Sequence, residues 1–471
     1  MRRALAATIV ALSAAPAAQA APPPEHRADP ALTTYVQRAG PYTIGAYDTF
    51  QTAAPVAAPE LPGSIVGMDA RLVDARGAVI PQHVLMLHHL VFTNGGPDNT
   101  RRDAACPLKA TRERFWGTSE ELRALTLPPG YGYPTNPADR WRMLLMAMHH
   151  RAGERTFYVE YRVTVDPRPL VPVKPYWLSV IPCSPDPQWT VPGGRKGAHR
   201  RTRTFRMPEA GRIVAVGGHL HGGALDIALS QPRCRDRTLV RSRPAYAPAR
   251  DPLYAVRPLL HEPDPKSISW WQSATGWPIR RGERLKVTAS YEGSRPHARV
   301  MGIDHVYLAP AAAKAPRGCA RAPADAQTLG AEFAGARRAP PQVDLTLAKV
   351  GKDGRARAST RAPGDPRVVR GNARVVVDDF TFGPGHLSVG RGAIVRWRFA
   401  EDVKHDVTLA AGPRGFGSPW LANGGTYAHR FTRPGTYLLQ CSLHAAYMSQ
   451  VVQVRSRPSR PPRRDADRHR R

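Results

Sequence analysis

The stretch QCSLHAAYM, residues 440–448, follows Gly435–Gln440, which is predicted to be a β-strand. One short loop therefore carries a thiol, an imidazole and a thioether, which belong to Cys441, His444 and Met448. A second imidazole, that of His405, lies upstream. Two histidines, one cysteine and a weak axial methionine form the trigonal ligand set that suits blue copper. The sequence therefore predicts a type 1 copper site near the C-terminus.

The residues before this loop follow the pattern F-x-P-x-x-L-x-V-x-x-G-x-x-V-x-W over 382–397. Together with the loop, this pattern resembles the plastocyanin/azurin-like cupredoxins, with Asp406 standing where an asparagine is common. The resemblance implies a small Greek-key sandwich over residues 372–455.

Residues 35–310 contain short β-like runs that are interrupted by proline and glycine, of which the chain has 48 and 40. The clearest runs are Val84–Thr93, Thr156–Val165, Arg212–Val216, Leu225–Leu229 and Arg284–Tyr291. Such spacing favours antiparallel sandwiches over βαβ units. The one helix we expect is short, Ser119–Leu125. The predicted fold class is all-β.

Histidines recur in pairs in this region: His88-His89, His149-His150 and His219-x-His221. Residues i and i+2 of a strand point to one face, so His219 and His221 can hold one ion together. His88 and His89 point to opposite faces of a regular strand, and they can share a metal only where the backbone is irregular.

The motifs LHHLVF (87–92), MH (148–149), GHLHG (218–222) and MGIDHVY (301–307) resemble those of the copper type II, ascorbate-dependent monooxygenases. That family includes the peptidylglycine α-hydroxylating and dopamine β-monooxygenases. The resemblance implies two jelly-roll-like sandwiches, 35–198 and 199–310, each with one copper across an open cleft. It assigns the electron-supplying copper to His88, His89 and His149, with His150 as a rival for the third place. It assigns the oxygen-activating, catalytic copper to His219, His221 and Met301.

The peptide-amidating members grip a carboxylate with an arginine, an asparagine and a tyrosine, whose places here hold Gly217, Ile303 and His305. We therefore expect a monooxygenase that acts on an unknown small organic substrate, and not peptide amidation. It would bind up to three copper ions and take electrons from an ascorbate-like reductant or a redox protein. The alternative is a non-enzymatic copper-binding and electron-transfer protein on a degenerate monooxygenase scaffold.

Residues 1–20 read as a signal peptide, with two arginines, an apolar run and an Ala-x-Ala site, which predicts a secreted or periplasmic protein. Export allows disulfides. If Cys441 binds copper, four of the five cysteines are left, and they allow three pairings. Keeping each bridge within one sandwich favours Cys106–Cys183 and Cys234–Cys319.

The formal charge is +31, but only nine of the 68 basic residues are lysines and they form no stripe with aromatic residues. We therefore expect no nucleic-acid partner, and no apolar run is long enough to predict a transmembrane segment. Residues 311–371 are rich in Ala, Pro and Arg and are predicted to be a linker, and 456–471 a disordered Arg-rich tail.

Overall fold

The computed structural model describes residues 29–106, 111–121, 124–184, 186–311, 318–330, 333–343, 345–359 and 362–458. Over these ranges the chain is all-β, which confirms the predicted fold class, and its only helices are the 3-10 turns Pro232–Cys234 and Pro252–Ala255. The helix expected at Ser119–Leu125 is wrong, because Ser119 ends one strand and Leu125 begins another. The predicted signal peptide and residues 459–471 lie outside the described residues. None of the described helices is long and apolar enough to cross a membrane.

Ten strands form the first sandwich. They are β1 (Thr33–Ile44), β2 (Thr49–Val56), β3 (Gly63–Val73), β4 (Leu85–Asn94), β5 (Glu113–Ser119), β6 (Leu125–Thr126), β7 (Tyr131–Thr135), β8 (Trp141–His149), β9 (Arg155–Asp166) and β10 (Val171–Pro172). One sheet has the order β1-β9-β3-β7-β10, with β6 beside β3, and the other has the order β2-β8-β4-β5. Aromatic side chains, among them Phe92, Phe115 and Trp141, fill the space between the sheets.

The second sandwich contains the next thirteen strands. They are β11 (Lys174–Ser179), β12 (Trp189–Val191), β13 (Ala198–Arg206), β14 (Gly211–Leu220), β15 (Ala224–Gln231), β16 (Arg237–Ser242), β17 (Pro244–Ala245), β18 (Ser267–Ile268), β19 (Trp270–Ile279), β20 (Arg284–Glu292), β21 (His297–Val300), β22 (Gly302–Pro310) and β23 (Gln327–Leu329). Its main sheets have the orders β11-β22-β14-β19-β23 and β13-β20-β15-β16.

The boundary between these sandwiches lies earlier than the sequence predicted. Strand β11 pairs with β22 along its whole length, so the second sandwich begins at Lys174 and not at residue 199. The prolines between 167 and 175 mark the change, because proline interrupts a strand ladder. The two sandwiches then share an apolar seam, in which Tyr307 packs in the first core and its hydroxyl donates to the carbonyl oxygen of Phe115 at 2.7 Å.

The third sandwich and the hairpin before it contain the last eleven strands. They are β24 (Leu347–Val350), β25 (Ala356–Ser359), β26 (Arg367–Val368), β27 (Ala373–Asp378), β28 (Thr381–Gly383), β29 (His386–Arg391), β30 (Ile394–Phe399), β31 (Thr408–Ala411), β32 (Thr426–Arg430), β33 (Gly435–Gln440) and β34 (Ser449–Pro458). The sheets have the orders β26-β29-β34-β33-β31 and β28-β27-β30-β32. Buried Trp397 joins them by donating from Nε1 to Oε1 of Gln450 at 2.8 Å.

The predicted linker is partly built into the sheets. Strand β23 extends the second sandwich beside β19, and β26 adds to the third beside β29. The hairpin β24–β25 contributes Leu347 to a small apolar cluster with Leu438 and Val451 of the third sandwich. These described parts of residues 311–371 therefore attach the third sandwich to the second.

Both favoured disulfide pairings are confirmed. Cys106–Cys183 and Cys234–Cys319 have Cα–Cα distances of 5.2 and 5.8 Å, and Cys441 is the free cysteine. Because β11 belongs to the second sandwich, Cys106–Cys183 joins the two sandwiches instead of lying within one. Two disulfides are compatible with the export that the sequence predicts.

Candidate metal centres

The first centre lies at one end of the third sandwich. Cys441 follows β33, and His405 lies just before the neighbouring strand β31. The Sγ of Cys441 is 3.7 Å from Nδ1 of His405 and 3.5 Å from Nδ1 of His444, and the two Nδ1 atoms are 3.1 Å apart. A metal bonded to three such atoms at about 2.1 Å would hold them about 3.6 Å apart, so this triangle fits one ion.

His405, Cys441 and Met448 are buried at this centre. Burial raises the pKa of the Cys441 thiol, and burial lowers the pKa of His405 and His444, which keeps both imidazoles neutral. Met448 is buried, and its backbone closes the loop, since its N–H donates to the His444 carbonyl oxygen and its carbonyl oxygen accepts from Cys441. The four residues predicted from sequence therefore lie on one compact loop and the neighbouring strand end.

The second centre is a cluster of histidines between the first two sandwiches. The pairing of β4 with β8 shifts register between Leu87 and His89, which places a β-bulge at His88. The rings of His88 and His89 consequently lie on the same side, with centroids 4.1 Å apart. This is the irregular backbone that the His-His pair requires if it is to share a metal.

His219 and His221, at the end of β14, complete the cluster from the second sandwich. Their ring centroids are 5.1 Å apart, and Nε2 of His221 is 3.0 Å from Nε2 of His89. Donor atoms of His88, His89 and His221 all lie within 4.8 Å of one another. The histidines that the family resemblance assigns to two separate coppers are thus in direct contact.

Carboxylates surround these histidines. Nδ1 of His88 lies 3.7 Å from Oε1 of Glu120, and Nδ1 of His219 lies 3.4 Å from Oε1 of Glu121. Nδ1 of His221 lies 3.9 Å from Oδ1 of Asp264. Histidine ligands usually pair their second nitrogen with such an acceptor, which fixes the ring and the tautomer. The sequence analysis left these acceptors unnamed.

The cluster is electrostatically prepared for a cation. Burial lowers the pKa of His88, His89 and His221, and the neighbouring histidines lower it further. Neutral imidazoles present lone pairs, and Nε2 of His219 and Nδ1 of His88 are buried without a hydrogen-bond partner among the described residues. Burial, followed by the charge of Glu120, raises the pKa of Asp264.

His149 and His150 lie at the end of β8, beside the cluster. His149 belongs to neither group of mutually close donors at the cluster, and its Nδ1 is 2.9 Å from the Gly45 carbonyl oxygen. His150 is buried, and burial, followed by the charge of His261, lowers its pKa to about 3. His150 does not belong to these groups either, so proximity to the cluster donors does not decide between His149 and His150.

Met301 is buried between β21 and β22 and packs with Trp177 and Ile303. The hydroxyl of Tyr291 donates to its carbonyl oxygen and accepts from the backbone N–H of His221 at 2.9 Å. One side chain therefore ties the Met301 backbone to the His-x-His segment.

The three positions that hold the anion clamp in the amidating enzymes are ordinary strand positions here. Gly217 pairs with His305 between β14 and β22, and the His305 ring lies 4.0 Å from that of Trp177. Ile303 is buried in the apolar cluster with Met301. No arginine stands at any of these three positions, so none of them offers the bidentate contact of a guanidinium with a carboxylate.

Sequence reasoning missed His261 and Glu120. Nε2 of His261 is 2.8 Å from Oε1 of Glu120 and 2.8 Å from Sδ of Met86. Donor atoms of His88, Glu120 and His261 form a second group within 4.8 Å of one another. The available signal was the segment LLHEPDP, residues 259–265, where a histidine and two acidic residues share a loop with prolines.

The third sandwich packs against this cluster with its ligand loop. Ala445 and Ala446 lie in one buried apolar cluster with Met86 and Leu260. The side chain of Gln440, which precedes Cys441, donates from Nε2 to the carbonyl oxygen of Leu260, which precedes His261, at 3.2 Å. The two centres are therefore joined by one buried hydrogen bond between residues adjacent to their potential ligands.

An ion pair fixes the same interface. The guanidinium of Arg299 donates to Oδ2 of Asp406 and to Oδ2 of Asp186, each at 2.7 Å, and lies over the ring of Trp420. Asp406 also accepts from the backbone N–H and the hydroxyl of Ser442. The aspartate that departs from the cupredoxin pattern thus connects the second sandwich to the loop that carries Cys441.

We expect Arg299→Met to destabilise the protein by about 3–5 kcal/mol, because it leaves Asp406 as a buried charge without its cation. Denaturant unfolding measures the change. The exposed Arg374 provides the control, since Arg374→Met should cost less than about 0.5 kcal/mol. Adding Asp406→Asn to Arg299→Met should recover part of the loss. Equal stability of Arg299→Met and Arg374→Met would contradict the role of the pair.

No protein-family model matches the chain, and neither does any curated protein. Solved structures of cupredoxins match part of it. A purple cupredoxin from Nitrosopumilus maritimus is 24% identical over 18% of this chain and 100% of its own, with a TM-score of 0.17. A Cu(I) form of an amicyanin mutant is 28% identical over 18% of this chain and 83% of its own, also with a TM-score of 0.17.

Proposed function

We propose that this chain is a copper-dependent oxidoreductase in which the third sandwich passes electrons to the histidine cluster. The single observation that carries this proposal is the buried hydrogen bond from Gln440 to the Leu260 carbonyl oxygen. It joins the residue before Cys441 to the residue before His261. A docked ligand loop with a short covalent and hydrogen-bonded path supports one-electron transfer between the two centres.

Copper would be held in the third sandwich by His405, Cys441, His444 and Met448. In the cluster, copper would be held by His88, His89, His219 and His221. Met301 is a further proposed ligand with a soft sulfur donor, because Tyr291 ties the Met301 backbone to His221. We propose monooxygenation as the reaction, in which one oxygen atom of O2 enters a C–H bond and the other is reduced to water with two electrons and two protons. Bound copper supplies the one-electron steps and the activation of O2.

The protein's own groups orient the ligands and limit access. Glu121 and Asp264 lie beside Nδ1 of His219 and His221 and would hold these rings in one tautomer. His219 and His221 are 5% and 4% exposed, which favours a small organic substrate over a peptide. The absence of an arginine where Gly217, Ile303 and His305 stand supports the same choice. The electrons would come from outside the chain, from an ascorbate-like reductant or from a redox protein.

The burial of the cluster also favours a second candidate, a copper-binding protein that transfers electrons without hydroxylating a substrate. Both candidates share the same centres. They differ in whether reduced protein consumes O2 and incorporates one of its atoms into an added substrate.

We expect the oxidised colour of the third-sandwich centre to return by an intramolecular step when reduced, copper-loaded full-length protein meets O2. Stopped-flow absorption measures this rate, which should not depend on protein concentration. His219→Ala should slow it by about 10–100-fold, the range typical of damage at a metal site. Gln440→Leu should also slow it, whereas Gln453→Leu, which changes an exposed glutamine on β34, should not. A bimolecular rate, or one indifferent to His219, would overturn the relay.

A further inference from the structure

Next to the four histidines of the cluster lies a second group of potential ligands, formed by His88, Glu120, His261 and Met86. Nε2 of His261 is equally close, at 2.8 Å, to Oε1 of Glu120 and to Sδ of Met86. The ring centroids of His88 and His261 are 4.5 Å apart. Donor atoms of two imidazoles and a carboxylate therefore lie close together, and the thioether of Met86 contacts one of these imidazoles.

These donors are buried and incompletely paired. Met86, His88 and Glu120 are 0%, 4% and 6% exposed. Nδ1 of His88 and Oε1 of Glu120 have no hydrogen-bond partner of acceptable geometry among the described residues, although Oε1 is in close contact with His261. A buried polar atom without a partner costs free energy, and an ion bound between these atoms would remove that cost.

We propose that this group is a copper site distinct from the one formed by His89, His219 and His221. An imidazole has two ring nitrogens, so His88 can serve both groups. The thioether favours Cu(I), and the imidazoles accept copper in both oxidation states. This regroups the ligands expected from the family resemblance, because His261, Glu120 and Met86 take the place given to His149.

The position of the site gives it a role. Leu260, the neighbour of His261, accepts the hydrogen bond from Gln440, and Met86 packs in the same apolar cluster as Ala445 and Ala446. This site is therefore the part of the cluster that borders the third sandwich. This role rests on the proposed function: the site accepts the electron that leaves the Cys441 centre. The transfer oxidises the Cys441 centre by one electron and reduces this site by one electron.

Copper counting tests the site independently of any activity. The full-length protein is loaded with copper, freed of excess metal and analysed for copper per chain, with electron paramagnetic resonance to separate the type 1 signal from the others. Wild type should hold three ions. His261→Ala should hold two, with an unchanged blue band and a smaller non-blue signal. His386→Gln is the matched control, because His386 is a buried histidine of the third sandwich that bonds the Gly364 carbonyl oxygen.

Met86→Leu provides a second variant that conserves volume and should fold, since such exchanges usually cost less than about 1.5 kcal/mol. It should lose the same ion under reducing conditions. Three ions in both His261→Ala and Met86→Leu would overturn the site, and so would a wild type that holds two ions or fewer. Failure of the relay with three ions bound would instead count against the proposed function and leave this site standing.

Discussion

Cys441→Ser is expected to abolish the intense visible absorption of the copper-loaded protein and to lower its copper content by one ion per chain. A thiolate bound to Cu(II) in a trigonal site gives strong visible charge transfer, and a serine hydroxyl at this buried position does not. The donor triangle of His405, Cys441 and His444, with edges of 3.1 to 3.7 Å, is the geometry that produces this colour. Absorption spectroscopy of the full-length protein with Cu(II) measures the band.

The control for this variant is His88→Ala, which removes a cluster histidine and should leave the blue band intact. A wild-type protein that binds Cu(II) without colour would contradict a type 1 centre in the third sandwich. So would a band that persists in Cys441→Ser, because no other free cysteine exists among the described residues.

The donor group of the third sandwich could be predicted from the sequence because its residues are close together in the chain. Three of the four proposed ligands lie within the loop of residues 441–448, so their proximity follows from chain connectivity alone. His405 is the exception, and the pairing of β31 with β33 brings it close. The spacing of a cupredoxin pattern carries that pairing implicitly, which is why the upstream histidine was found.

The histidine cluster could be predicted only in its membership. The motifs selected His88, His89, His219 and His221, but their grouping depends on how two sandwiches pack, which no local pattern encodes. The bulge at His88 and the 3.0 Å contact between His89 and His221 are consequences of that packing. His261 was missed for the same reason, since its potential ligand partners lie in another sandwich.

The predicted domain boundary and the predicted linker differ from the structure for another physical reason. The apolar run in Lys174–Ser179 suits the edge of either sandwich, and only its pairing with β22 decides between them. The short strands β23 and β26 gain their order from backbone hydrogen bonds to existing sheet edges. Backbone pairing of that kind is almost independent of side-chain composition, so an Ala- and Pro-rich segment gives no sign of it.

His88→Ala is expected to have the largest effect on the cluster, releasing both of its copper ions and leaving about one ion per chain. The reason is that His88 is the only residue common to the two groups of mutually close donors among the described residues, His88/His89/His221 and His88/Glu120/His261. Replacing His88 with alanine removes a nitrogen donor from each group and removes the side chain that lies between the two groups. Copper analysis of the full-length variant gives the count, and the surviving ion should show the blue band of the Cys441 centre.

His149→Ala makes this prediction discriminating, because the family resemblance and the groups of mutually close donors disagree about His149. The resemblance places His149 among the ligands, so its removal should release one ion. In the structure His149 belongs to neither group of mutually close donors, so His149→Ala should retain all three ions. Suppose that His149→Ala loses an ion and that His88→Ala loses no more ions than His149→Ala does. Each copper ion is then held by residues of one sandwich only, and the two groups that combine residues of both sandwiches are wrong. If only His88→Ala empties the cluster, residues of both sandwiches bind the same copper ions, and the bulge in β4 is the feature that makes this sharing possible.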